Sequence, residues 1–490
     1  MDRVEVVVDQ ALARGFSVIL NVHHDSWIWA DVTAPNANFT MIEEKFSRIW
    51  FQIGARFKCK PSSLIFEALN EPTGSTKTHG DELNKLNDIF LNAINNAGGH
   101  NPKRVVSLSG LGHDIVKTTQ WFKRGTSYPN QPWGLQFHYY SPYDFIFGAW
   151  GKTIWGSDSD KAALDQDFAL FKETFPDVPT FVGEWDASPA NTEAAARWKY
   201  FDHIIRTATK YSFSQILWDN GDGHFNRVTH SWKDPAEIQV LMMASNGVSN
   251  ALADSTTDGS ATTQVTNAYL FHRVGDPVTA QSVNYTLNGN RIAAIKDKSG
   301  TALTSSQYSV SGGTVTFSAT YLGSLYSAAS APGIKQTLTV SFNAGASLTL
   351  TIVHWSPPTV TNNTFKVDPS RDLTFPVSWN GIGPAAVKAV TADGTYLADA
   401  WTAGLGPLQQ ARWTYGNWEN KGDTFSIFVS GLNAIKATGK DVTLTLEVSL
   451  PLRRYELVED SITNLFMQAF PRILGANSVN VTITQDAFSW

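Results

Sequence analysis

Five short stretches of the 490-residue chain close an apolar run with side chains suited to chemistry: His23-His24-Asp25, Asn70-Glu71-Pro72, His138-Tyr139-Tyr140, Glu184-Trp185 and Trp218-Asp219-Asn220. Core packing alone does not select imidazole, amide, phenol and carboxylate at one recurring position, because each must find a polar partner once it leaves water. Glu71 and Glu184 form a pair of the kind that does acid–base work, one carboxyl giving a proton while the other stays ionised. Either Glu alone is more often a helix cap or a solvated side chain than a catalytic group, so the weight lies on the series. His23 and His138 are nitrogen donors of the type zinc takes. No His-Glu-x-x-His pair or cysteine cluster accompanies them, Cys59 being the single cysteine, so neither a metal nor another cofactor is expected.

The elements that must hold these groups alternate in period. Val4, Val7, Val8, Ala11 and Leu12 recur at helical spacing and stop at Gly15, and 16–22 follows as a short buried strand. Thr40 with Glu43 reads as a capping box ahead of a helical face built from Ile42, Phe46, Ile49, Trp50, Ile53 and Phe57, with a strand at 63–69. Leu83, Leu86, Phe90, Ala93 and Ile94 lead to a strand at 104–109, and further strands read at 134–137, 179–183 and 214–218. Asp234-Pro235 with Glu237 starts another helix. Strands alternating with helices imply a parallel sheet, and this many units suit a (β/α)8 barrel better than an open doubly wound sheet, which would want a glycine-rich phosphate loop after its first strand.

A composition shift at 254–263 ends the helical pattern. Beyond it come short Thr-, Val- and Ser-rich strands with hairpin signals at Asn288-Gly289 and Gly312-Gly313, an all-β sandwich pattern. Pro357-Pro358 marks a second break, followed by a β-rich stretch carrying Trp379, Trp401, Trp413 and Trp418. The expected domains are 1–255, an incomplete barrel; 256–356, a β-sandwich; and 357–490, a second sandwich whose tail includes a candidate last strand at 479–484. With 38 Lys plus Arg against 44 Asp plus Glu the net charge is −6, which offers no basic face to nucleic acid. No apolar run is long enough to span a membrane, and the first residues have no signal-peptide pattern. The chain holds 17 Trp, 14 Tyr and 28 Phe with 17% charged residues, which suits large cores or stacking on sugars.

The motifs Asn70-Glu71-Pro72, His138-x-Tyr140, Gly183-Glu184-Trp185 and Trp218, with the wording around His23-His24-Asp25 and Tyr140-Ser141-Pro142-Tyr143, resemble glycoside hydrolase family 5 over about residues 1–250. The resemblance is nearest to that family's endoglucanase and xyloglucanase branch. It implies a retaining hydrolase of β-1,4-glucans, Glu71 as acid/base and Glu184 as nucleophile. It also implies Asn70 on the sugar 2-OH, His23 and His138 as site histidines, His24 as a second subsite contact, Tyr140 as partner of the nucleophile and Trp218 as a platform under the sugar. Such an enzyme needs its carboxyl groups about 5–5.5 Å apart, with Glu71 protonated and Glu184 ionised. The segment 265–356 resembles an immunoglobulin-like X2-type module, and the stretch from 359 resembles a family 46 carbohydrate-binding module, in which Trp401, Trp413 and Trp418 are candidates for stacking on glucose, with sandwich core the equal alternative for each and the favoured reading for Trp379. The partner implied is a polysaccharide, the site of action extracellular, and the chain a monomer.

Against that family pattern the first two barrel strands are missing, and with them the arginine that ends the second. A fragment is therefore expected, and its competing reading is a carbohydrate-binding protein without catalysis.

Overall fold

In the computed structural model the described residues are 1–221, 223–326, 331–398, 402, 404–406, 409–410, 412–413, 416–449 and 478–485. They divide into two compact units, one of residues 1–139, 163–186 and 207–218 and one of 140–162, 187–206 and 219–490.

The first unit is a curled, all-parallel sheet. Its strands β1 (Val18–Asn21), β2 (Leu64–Glu67), β3 (Val106–Leu108), β4 (Trp133–Tyr139), β5 (Thr180–Trp185) and β6 (Ser214–Leu217) are hydrogen-bonded in chain order. In chain order the helices are α1 (Asp2–Ala13), α2 (Phe39–Phe57), α3 (Lys77–Asn96), α4 (Ile115–Trp121), α5 (Tyr143–Ile146), α6 (Asp158–Thr174), α7 (Ala194–Lys210) and α8 (Pro235–Ser245); of these α1 to α4 and most of α6 lie in this unit, while α5, α8 and most of α7 lie in the second. This is the (β/α)8 architecture two strands short. In the central strands Leu64, Phe66, Val106, Leu108, Leu135 and Phe137 form the apolar face and are all buried, while the alternate positions Glu67, Ser107 and Gln136 turn buried polar groups to the other face. At the rims β1 is half-buried throughout and Ile216 of β6 is 42% exposed.

Helix α2 turns Ile42, Phe46, Trp50, Ile53 and Phe57 inward, as its spacing predicts, and Trp50 packs against Phe66 and Phe90. Its cap differs from the expectation. Asn38, not Thr40, precedes the first turn and accepts from the Met41 N–H at 3.1 Å, because the chain is still extended at Asn38 whereas Thr40 already lies within the helix. In α1 only Val8 is buried, while Val7 is 60% exposed. Its acidic side is paired with Arg56 of α2, on Asp2 and Glu5, and with Lys60 just beyond α2, on Glu5 and Asp9.

The second unit holds a small hairpin, β7 (Phe225–Asn226) with β8 (Ser231–Trp232), and two sandwiches. The first sandwich uses β9 (Leu252–Ala253), β10 (Tyr269–Arg273), β11 (Gln281–Thr286), β12 (Ile292–Lys296), β13 (Tyr308–Ser311), β14 (Thr314–Phe317), α9 (Ala319–Leu325), β15 (Gly333–Phe342) and β16 (Leu348–Trp355). Its sheets run β10-β16-β15-β12 and β13-β14-β11-β9. The second uses β17 (Thr359–Val360), β18 (Thr364–Lys366), β19 (Leu373–Ser378), β20 (Gly383–Thr391), β21 (Trp418–Lys421), β22 (Thr424–Ile427), α10 (Val429–Ala437), β23 (Val442–Ser449) and β24 (Val479–Thr484). Its sheets, β18-β24-β23-β20 and β21-β22-β19-β17, repeat the first plan strand for strand, including one parallel pair in each. Residues 479–484 therefore close the last module between β18 and β23. Within this unit Gln409 donates to Asp144 at 3.1 Å, so the last module touches the segment that follows β4.

Candidate active site

Strand β4 brings the site together. His138 lies opposite Glu184 across a register shift between β4 and β5, so an extra residue turns both side chains to one side. Gly183 makes the approach possible: a Cβ there would lie 1.7 Å from the Gln136 amide oxygen and 3.3 Å from His138 Nε2. His138 Nδ1 stands 2.7 Å from Glu71 Oε1 and 3.4 Å from Glu184 Oε2, so one ring nitrogen serves both carboxylates. An oxygen of each carboxylate and that nitrogen lie within 4.8 Å of one another. Two carboxylates this close suit a chemistry in which both act on one carbon, and are nearer than the roughly 6.5–9.5 Å that leaves room for a water between. The side chains are 35% (Glu71), 14% (Glu184) and 4% (His138) exposed, so substrate has access to the carboxylates while the imidazole is enclosed. Among the described residues this trio alone has the donors and spacing of a metal site. Its nitrogen is already engaged by Glu71, and a proton bridges that contact as well as a cation would.

Glu71 holds its place with a strained backbone, φ being 39°, a left-handed value that a non-glycine residue adopts only under constraint. On one side Asn70, 2% exposed, donates its N–H to the Val22 carbonyl at 3.0 Å. On the other the Glu71 N–H meets Nδ1 of His113 at 3.3 Å, and Gly112 N–H meets the Pro72 carbonyl at 2.7 Å. His113, fully buried in the turn after β3, also places that nitrogen 3.1 Å from His138 Nε2. Burial pushes its basicity well below the usual histidine range, and His138 and His23 add to that.

His23 accepts from the Asn21 amide at 3.2 Å, and the same amide donates to Glu67 at 2.8 Å. Burial, then the adjacent His24, lowers the basicity of His23, against a pull from Glu71. Burial raises Glu67 above the normal carboxyl range, although Asn21 and Gln136 hydrogen-bond to it. The Trp218 ring lies parallel to that of His23 (6.4 Å, 9°), and the Trp218 main-chain N–H donates to the Trp185 carbonyl. His24 is exposed and sits 5.2 Å from the ring of Trp27, itself 44% exposed.

The structure thus gathers His23, Asn70, Glu71, His138, Glu184 and Trp218 around the strand ends, with His24 at the rim. Tyr140 follows β4 in the other unit, its ring stacked on Phe147. Two binding-module candidates are corrected. Trp413 and Trp418 are 4% and 3% exposed in the core of the last sandwich, their faces spent on protein, and Trp379 is buried with them. Trp401 lies outside the described residues. Sequence reasoning missed His113, Asn21, Glu67 and Trp27. For His113 the signal was present, since 109–113 directly follows β3 and was the one early strand end left unread.

Residues 1–224 match the cellulase family described as glycosyl hydrolase family 5, and 264–352 match carbohydrate binding domain X2. The chain is similar to a solved tri-modular endo-β-1,4-glucanase of that family, subfamily 4, from Bacillus licheniformis in complex with cellotetraose. Identity is 30%, the TM-score is 0.81, and the match covers 99% of this chain and 86% of that one. The chain belongs to glycoside hydrolase family 5. Endoglucanase B of Paenibacillus lautus is 28% identical over 84% of the chain and 74% of its own length. Endoglucanase H of Acetivibrio thermocellus is 35% identical, but the match takes in 45% of the chain and 23% of that relative. The family 5 match is followed along the chain by the X2 match, the two modules the sequence led us to expect.

Proposed function

We propose that this protein is an endo-acting hydrolase of β-1,4-glucans, cellulose-like chains or xyloglucan, which works with retention of configuration. Glu184 attacks the anomeric carbon while Glu71 protonates the leaving oxygen; Glu71 then deprotonates the water that releases the glycosyl group from Glu184. The observation that carries this reading is the pair of carboxylates within 4.8 Å of one another on a shared imidazole. Asn70 is assigned to the 2-OH, Trp218 to the sugar face at the cleavage point, and His23 and His24 to neighbouring hydroxyls. The last sandwich is assigned to family 46 of carbohydrate-binding modules, with boundaries near residues 255 and 356. The protein acts as a monomer, and outside the cell, where a polymeric substrate lies. Among the described residues no helix is long and apolar enough to cross a membrane.

The test uses the full chain on hydroxyethyl cellulose and on xyloglucan. Reducing ends should appear, the first anomer seen by proton NMR should be β, and Glu71→Gln or Glu184→Gln should each lower kcat by at least about 10³-fold. Near-parental turnover in either variant, or an α-anomer first, overturns the assignment. Binding in affinity gels without any product supports a protein that only holds the polymer.

A further inference from the structure

We propose that His113 is a positioning residue of this site: its Nδ1 accepts two hydrogen bonds, fixes His138 as the Nε2–H tautomer, and thereby leaves His138 Nδ1 to share the proton of Glu71. The proposal rests on Glu71 being the acid/base, but its geometry stands by itself.

The hydrogen-bond inventory leads there in three steps. A main-chain N–H only donates, so the 3.3 Å contact from Glu71 N–H makes His113 Nδ1 an acceptor without a proton. That same nitrogen is 3.1 Å from His138 Nε2, and two facing lone pairs would repel, so His138 Nε2 carries hydrogen. The far side of the ring, Nδ1, is 2.7 Å from Glu71 Oε1, a contact that needs one proton, whether drawn on the carboxyl or on the imidazole. Glu71 and His138 thus hold one shared proton beside an ionised Glu184, a single negative charge for the trio. This matches the electrostatics, since two carboxylates so close do not both stay ionised at low cost. His113 keeps to its acceptor role because it is fully buried and its neighbours are histidines.

A histidine that merely filled the core would be expected to satisfy both ring nitrogens. Here Nε2 of His113 has no hydrogen-bond partner among the described residues, and every polar contact of the ring is directed at Glu71 and His138. His113 itself has φ 46°, so two left-handed residues, Glu71 and His113, are tied to each other. The ring therefore also clamps the backbone that aims the acid.

Two readouts test this on the full chain. In nitrogen-15 histidine NMR, His138 should show a protonated Nε2 in the parent, and in His113→Phe it should lose that fixed tautomer. In kinetics His113→Phe should lower kcat about 10²-fold on cello-oligosaccharides, whose leaving group needs a proton, with KM within about twofold. On dinitrophenyl β-cellobioside, whose leaving group departs unaided, the loss in its glycosylation step should stay under about tenfold. His113→Asn, which returns an acceptor oxygen to the Nδ1 position, should recover most of the rate. A parent His138 carrying its proton on Nδ1 alone, or equal losses on both substrates, overturns the proposal. If His113→Phe does not fold, the tautomer of the parent decides. If the chain cleaves no glucan, the functional reading fails while the NMR result still judges His113.

Discussion

His138 gives one ring nitrogen to two carboxylates, so the charge of the site is set by where a few protons sit. The same burial that makes His113 a reliable acceptor gives it a signature in stability. Its folded-state basicity lies below the ordinary 6.5. Between its folded value and 6.5 the unfolded chain binds the proton that the native site refuses, so this contribution is complete above 6.5 and is lost as pH falls. The groups around the ring are His138 and His23, which push the same way, with Glu71 beyond the main-chain N–H. His113→Asn removes the titration. Its stability deficit relative to the parent, read from urea midpoints, should therefore shrink as pH is lowered from 7.5 to 5, by up to about 1.4 kcal/mol per unit within the window. A deficit that is constant or grows toward acid would contradict a neutral, buried His113.

At the scale of elements the barrel end opposite the site is tied by Arg104. Its guanidinium reaches the carbonyls of Phe57 and Lys60 at the end of α2, and of Pro61 and Leu64 at the start of β2, at 2.7–3.1 Å. It also bonds Asn101 and lies over the Phe66 ring. Arg104→Met keeps the volume but strands several buried carbonyls, so it should cost about 3 kcal/mol or more in thermal or urea unfolding and leave KM unchanged in the folded fraction. A loss below about 1 kcal/mol would show that water replaces the cation. The six strands themselves were legible within a few residues, because each is a short run rich in apolar residues set between helical patterns and polar or turn-forming endings. Caps were less so: Asn38 and Thr40 are both good cap residues, and only the backbone decides between them. His113 was invisible as a partner of Glu71 because its role depends on two turns, after β2 and β3, meeting in space.

For the molecule as a whole, the repeated strand order of the two sandwiches changes what the tryptophans of the last one mean. An edge-strand aromatic can face sugar or core with the same sequence pattern, which is why Trp418 on β21 was readable either way. Here its ring stacks on Phe425 at 5.4 Å, and its N–H is 3.4 Å from the Trp413 carbonyl. Trp413 packs so close to α10 that a Cβ on Gly431 would lie 2.7 Å from the indole. Both rings therefore belong to the packing of this module. Trp418→Ala should destabilise it by about 3–5 kcal/mol, seen as a lower melting step in calorimetry of the full chain. Measured well below that step, the retardation of the variant in xyloglucan or hydroxyethyl cellulose gels should match the parent. If instead retardation disappears while the melting step stays in place, the ring faces polysaccharide and the core assignment of Trp418 is overturned.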